Sequence, residues 1–159
     1  MRITNTFFNA VGTARCETIY LLPATNVTRA GYAFAEFEAA RCAIRKAFAQ
    51  PDWDGYGALP IGDATKMNAL GALNHIEALT VAPEITSNPN GTLSFEWETN
   101  QGFGQLEIGR TRYSFYVQPR SGSPFLDSGD ANDINPAVGL LVDGLLFPKL
   151  SRPVTLSTR

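Results

Sequence analysis

The apolar residues change their spacing at position 84, and that change decides the fold class. Between residue 30 and Pro83 they recur every three or four residues, which lines one side of an α-helix. From Glu84 they recur every second residue, which lines one face of a β-strand. Leu93, Phe95 and Trp97 alternate with Ser94, Glu96 and Glu98. Leu106 and Ile108 alternate with Gln105 and Glu107, and Tyr113, Phe115 and Val117 with Ser114, Tyr116 and Gln118. Short glycine-bearing links at 100–104 and 109–112 leave room only for hairpins, and Asn90-Gly91 is a further turn signal. The spacing therefore predicts an antiparallel meander of three to four strands over 84–119. Helices gathered ahead of strands, rather than alternating with them, make an α+β chain.

Two helices are expected before the meander. Over 30–49, Phe34, Phe37, Ala40, Ile44, Ala47 and Phe48 form one stripe, and Glu38 stands three residues before Arg41 as a helical ion pair. Gln50-Pro51 ends this helix. Over 64–80, Met67, Leu70, Leu73, Ile76 and Leu79 form the second stripe, with Asp63 as N-cap and Pro83 at the exit. Upstream, 17–22 reads as a strand stopped by Pro23, Phe7 and Phe8 belong to an earlier one, and Thr28 is a candidate cap. Residues 119–135 read as an ordered loop or linker. Asn135 then caps, and Pro136 opens, a short helix to about Phe147, and Pro148 and Pro153 impose an extended tail. The expectation is one domain over 1–159, assembled from an N-terminal strand region (1–30), a helix-turn-helix layer (30–80), the meander (84–119) and a loop, short helix and tail (120–159). Its two main helices pack on the sheet as a two-layer structure.

The 159 residues suit one domain, and 44% hydrophobic residues suffice for its core. A net charge of −2 provides no basic field for nucleic acid or an anionic membrane. No run approaches the ~20 apolar residues of a membrane span, and no leader segment is read at the N-terminus, so a cytoplasmic protein is expected. Cys16 and Cys42 are too few for a disulfide framework and lack zinc spacing, so both are read as reduced thiols.

Between the helices lies Asp52-Trp53-Asp54-Gly55-Tyr56-Gly57-Ala58-Leu59-Pro60-Ile61. Gly55, Gly57 and Pro60 forbid a regular helix there and demand a specific turn. Asp52 and Asp54 suit the capping of turn amides. Trp53 either plugs the gap between helices and sheet or faces a partner, and Tyr56 is the more exposed of the two aromatics.

Catalytic sets fare poorly beside this turn. The lone histidine, His75, sits within a helix and has no nucleophile motif near it. Asp52 and Asp54 around Trp53, and Glu96 and Glu98 around Trp97, could serve as acid and base only if the fold brought two of them into one cleft. The polar run 127–133 lacks the order of a calcium loop, and Gly55-Tyr56-Gly57 lacks the lysine of a phosphate loop, so no metal or cofactor is assigned. Tyr113, Phe115 and Tyr116 on a sheet are compatible with base stacking, but the RNA-recognition signature is absent.

The turn resembles one found in a loose group of short bacterial and mobile-element proteins. Their pattern is W-D-G-x-G-A-x-P, then a helix, a proline, and a strand ending near Glu-Trp. The matching residues are Trp53, Asp54, Gly55, Gly57, Ala58 and Pro60, then Pro83, Gly91, Glu96 and Trp97. The resemblance covers roughly residues 34–117. The group has no established activity to transfer, but some such proteins come from phages or genomic islands. The resemblance thus implies, by analogy, an anti-CRISPR-like inhibitor of a bacterial defence complex.

The sequence reading is a non-enzymatic protein-binding module, with no catalytic, cofactor or metal residue. Its partner-binding residues are Trp53, Asp54 and Tyr56 at the turn, and Leu145 and Phe147 in the C-terminal apolar segment. Two alternatives are a small carboxylate-dependent hydrolase using Asp54 and Glu96, and a nucleic-acid-binding regulator using Arg41, Arg45 and Arg112. Homodimerisation through a strand edge or the C-terminal helix is a further reading.

Overall fold

The structure, a computed structural model, describes residues 29–148. Helices α1 (Arg29–Lys46) and α2 (Asp63–Glu77) precede strands β1 (Glu84–Ser87), β2 (Leu93–Thr99), β3 (Gly102–Ile108), β4 (Arg112–Pro119) and β5 (Phe125–Asp130), and α3 (Ala137–Leu146) follows. The strands form one antiparallel sheet in the order β1-β2-β3-β4-β5. This is the α+β class expected, with one strand more than the upper expectation. The strands expected within 1–28, the cap at Thr28 and the extended tail beyond Pro148 lie outside the described residues.

Register explains why one sheet face is dry. Leu93, Ile108 and Tyr113 face one another across three strands, as do Phe95, Leu106 and Phe115 in the next row. The third row is Trp97, Gly104 and Val117. All nine residues are buried. A one-residue slip would turn every one of these rows to the opposite face, so burial of one face fixes the pairing. Phe37, Ala40 and Ile44 of α1, Ala69, Leu73 and Ile76 of α2, and Val138, Val142 and Leu146 of α3 complete the same core.

Two close approaches seat α3. A Cβ placed at Gly104 would lie 3.1 Å from Leu146 Cδ1, so the missing side chain opposite Trp97 admits Leu146. A Cβ at Gly139 would lie 2.8 Å from Leu79 Cβ, which brings α3 against the end of α2. A hydrogen-bond clasp secures the start of α3. The Tyr113 hydroxyl and the Asn135 amide both donate to Asp127 Oδ2, at 2.9 and 3.0 Å, and Asn135 Oδ1 accepts the Ala137 N–H at 2.9 Å.

Polar contacts join the first two helices. Arg41 donates to Glu38 at 2.9 Å, as the spacing predicts, and also to Asn74 and Glu77 of α2. Lys66 Nζ donates to the Ala47 carbonyl at 2.7 Å, placing a cation at the C-terminal end of α1, where the helix dipole favours one.

Several local expectations are corrected. The 119–135 segment is not all loop, because Phe125–Asp130 pairs with β4. Among the described residues it is an edge strand with one neighbour, which needs no dry face of its own, so no alternation marks it. On α2 the buried side is Thr65, Ala69, Ala72, Leu73 and Ile76, whereas Met67 is exposed. Small and large side chains share that side, Leu73 and Ile76 being fully buried beside Ala69 and Ala72. α1 ends at Lys46, three residues short of the expected end, and of the expected stripe Phe34 and, beyond the helix, Phe48 are exposed, while Phe37, Ala40, Ile44 and Ala47 are buried. Gly62, with extended backbone, is the N-cap of α2, and Asp63 is its first helical residue, where a negative charge complements the helix dipole. Cys42 is disulfide-bonded rather than reduced, with its partner outside the described residues.

Two predictions follow from this packing. Gly139→Ala forces its new methyl onto Leu79 and should lower unfolding free energy by about 1–3 kcal/mol. Gly144→Ala, on the same helix with nothing within 4 Å of the added Cβ, should raise it by about 0.5–1 kcal/mol in the same urea titration. Separately, burial first, then the bond to Asp127, push the Tyr113 hydroxyl above its ordinary value of 10.0. A raised folded value means stabilisation that is complete below pH 10.0 and lost as pH rises through the raised value. The urea midpoint should therefore fall above pH 10.0 in the native chain and fall less in Tyr113→Phe, whose neutral-pH stability is lower by about 1 kcal/mol.

Candidate functional site

The turn joining α1 to α2 is held by its own amides. Gly57 N–H donates to Asp52 Oδ1 at 2.7 Å. Tyr56 and Ala58 N–H both donate to Asp54 Oδ1, at 2.8 and 3.1 Å. Gly55 N–H reaches the Asp52 carbonyl at 3.1 Å, and Asp52 N–H reaches back across the turn to the Ala58 carbonyl at 2.8 Å. The two aspartates expected to cap turn amides do so.

Backbone conformation explains the glycines. Gly55 and Gly57 have φ of +76° and +90°, which L side chains rarely adopt, although open space surrounds both positions. Conformation, not room, selects glycine here. Asp52 also has a positive φ, 55°, a conformation that a short polar side chain tolerates.

The turn is also moored to its surroundings. Leu59 N–H donates to the Pro89 carbonyl at 2.8 Å in the β1–β2 turn, and Ile61 N–H to the Phe48 carbonyl at 2.7 Å beyond α1. Every N–H from Gly55 to Ile61 thus has an acceptor, Pro60 having none to offer. Trp53 is half-buried, lies outside the core and stacks on Phe48 with ring centroids 4.6 Å apart and 7° between planes. Its Nε1 donates to the Leu59 carbonyl at 3.0 Å. Trp53 is a brace between the helix end and the far limb of the turn, a role between the two weighed from sequence.

Tyr56 occupies the tip and is 94% exposed. Phe48 and Leu59 are more than half exposed as well, at 51% and 57%. Sequence reasoning placed Phe48 in the core stripe and passed over Leu59. The proximity of Phe48 to Pro51, where α1 must stop, is the signal that it leaves the helical stripe.

The other expected contact residues fall elsewhere. Leu145 and Phe147 are partly buried and pack against the core, and the exposed apolar residue of α3 is Leu140. The fold does not bring Asp54 and Glu96 together. Glu96 lines an open groove of about 730 Å³ between α1 and the β1–β2 edge, and Asp54 does not. His75 is exposed on α2. Among the described residues no group of three or more His, Cys, Asp or Glu is placed to hold a metal ion, and no helix is long and apolar enough to cross a membrane. Of the cations considered for nucleic acid, Arg41 is engaged between the helices and Arg112 pairs with Asp130 at 3.4 Å.

No protein-family model, curated protein or solved structure matches the chain. The site therefore rests on its geometry.

Asp54→Ala removes one acceptor from two amides. It should cost about 1 kcal/mol of stability and speed hydrogen exchange of the Tyr56 and Ala58 amides. Tyr56→Ala should leave stability within about 0.5 kcal/mol in the same urea titration, since its side chain is solvated.

Proposed function

We propose that the protein is a non-enzymatic binding module that engages another protein through the 52–59 turn, with Tyr56 as the inserting side chain. The supporting observation is a 94% exposed tyrosine at the tip of a turn whose amides from Gly55 to Leu59 are all bonded. An aromatic residue held in place before contact loses little freedom on binding, and tyrosine is enriched among residues that dominate binding energy. Phe48 and Leu59 add exposed apolar surface at the base of the same turn, joined through Trp53. In this reading Tyr56 makes the contact, Asp54 and Trp53 hold it in place, and Leu145 and Phe147 serve the fold instead.

The class of partner we propose is a bacterial defence complex, and the support for that is the resemblance of the turn. Tagged protein incubated with a bacterial lysate should capture a stoichiometric protein partner, identified by mass spectrometry. Tyr56→Ala should weaken that capture by roughly thirtyfold, the scale of a hot-spot side chain worth about 2 kcal/mol. Capture that survives the substitution would sink the assignment to Tyr56, and capture of nucleic acid alone would sink the protein-binding reading.

A further inference from the structure

Cys42 lies in α1 and is disulfide-bonded, and Cys16 is the only other cysteine of the chain, so the bond joins these two residues. The ring it closes contains α1 from Arg29 to Arg41. The core holds the early part of that helix weakly. None of Ala33, Phe34, Ala35 and Glu36 is buried, and Phe37 is the first described side chain of α1 to reach the core. A helical segment with few buried contacts opens locally at low cost, and a cross-link that spans it removes open conformations. Beyond Cys42 the chain carries the mount of the 52–59 turn. The Ala47 carbonyl accepts from Lys66 Nζ, the Phe48 carbonyl accepts from Ile61 N–H, and the Phe48 ring stacks on Trp53.

We propose that the Cys16–Cys42 bond is a redox-sensitive latch on α1. Oxidised, it holds the helix closed and, through it, the foot of the turn; reduced by a dithiol, it lets the helix fray and the turn loosen. The position of Cys42 suits a bond that is opened and remade. It is half-buried and outside the core, so a dithiol can reach its sulfur. Arg45 and Lys46 follow three and four residues later, one helical turn away, and their charge favours the Cys42 thiolate that reduction releases. The exchange balances. One thiolate of the dithiol attacks a sulfur of the bond and forms a mixed disulfide, which the second thiol of the dithiol then displaces. The protein's S–S bond takes up two electrons and two protons to become two thiols, and the dithiol becomes a disulfide. Where dithiols keep a compartment reducing, a bond of this kind reports the redox poise around the protein. The effect on partner capture rests on the Tyr56 reading, whereas the effect on α1 does not.

The test uses the full chain, either oxidised or reduced with dithiothreitol, blocked with N-ethylmaleimide and freed of reagent. By intact mass, the denatured oxidised chain should take up no N-ethylmaleimide and the reduced chain one on each cysteine. On reduction the urea midpoint should fall, and hydrogen exchange should quicken at least about tenfold at the α1 amides from Phe37 to Arg41 and at the Tyr56 and Ile61 amides. Cys16→Ser, which leaves α1 itself untouched, should exchange like the reduced chain and no longer respond to dithiothreitol. Labelling of both cysteines without reductant overturns the bond. Unchanged exchange of α1 on reduction, or a response that persists in Cys16→Ser, overturns the latch. Faster exchange of α1 with Tyr56 and Ile61 unchanged overturns its link to the turn. Capture of the partner from lysate should weaken at least about threefold for the blocked, reduced chain, and Cys16→Ser should capture at that lower level. Failure of the Tyr56 reading shows as capture that survives Tyr56→Ala, while the exchange measurements need no partner, so the two failures are distinguishable.

Discussion

Trp97 has no side chain opposite it in the sheet, and much of the structure is arranged around that gap. Gly104 is its cross-strand neighbour, Leu146 enters the space, and the indole N–H donates to the Val81 carbonyl at 3.0 Å. One residue therefore fixes the end of α3 and the path of the chain between α2 and β1. Phe95 meets the indole edge-on, with centroids 6.5 Å apart, which ties this corner to the central row of the core. Trp97 also lines the groove between α1 and the β1–β2 edge.

The sheet was the most legible part of the sequence, because its rows of apolar residues lie on strands with neighbours on both sides. Leu93, Phe95, Trp97, Leu106, Ile108, Tyr113, Phe115 and Val117 alternate in sequence and are buried in the structure. The edge strand β5 escaped because pairing on one side makes no demand for two-residue alternation. The helices were legible in extent but rotated in detail. Reading the largest residues as inward-facing put Met67, Phe34 and Phe48 in the core with Phe37, Ile44, Leu73 and Ile76, whereas only the latter four are buried, together with Ala40, Ala47, Ala69 and Ala72. Helix propensity and spacing specify a stripe only approximately when small residues decide how closely two helices approach.

At the turn, residue chemistry was a better guide than spacing. Two aspartates, two glycines and a proline in ten residues demanded a particular backbone, and the structure supplies one whose amides meet the two carboxylates. What could not be read was where the turn would anchor. Leu59 bonds Pro89 and Ile61 bonds Phe48, and both contacts depend on the β1–β2 turn and the end of α1 arriving at the same place. No local pattern encodes such a meeting. The groove was hidden for a similar reason. Ala39 and Ala43 on α1 and Ile85 on β1 belong to separate elements, and only the packing of α1 against β1 makes them line one groove.

The division of labour within the turn has an evolutionary consequence. The parts that hold its shape are Asp52, Asp54, Gly55, Gly57 and the Trp53–Phe48 stack, and none of them needs the side chain of residue 56. Only the Tyr56 amide is used in the frame, and every amino acid except proline supplies that amide. The tip is therefore a position at which a lineage can exchange one side chain for another without disturbing the scaffold. If Tyr56 makes the contact proposed above, a chain built this way could follow a changing partner by substitution at a single codon.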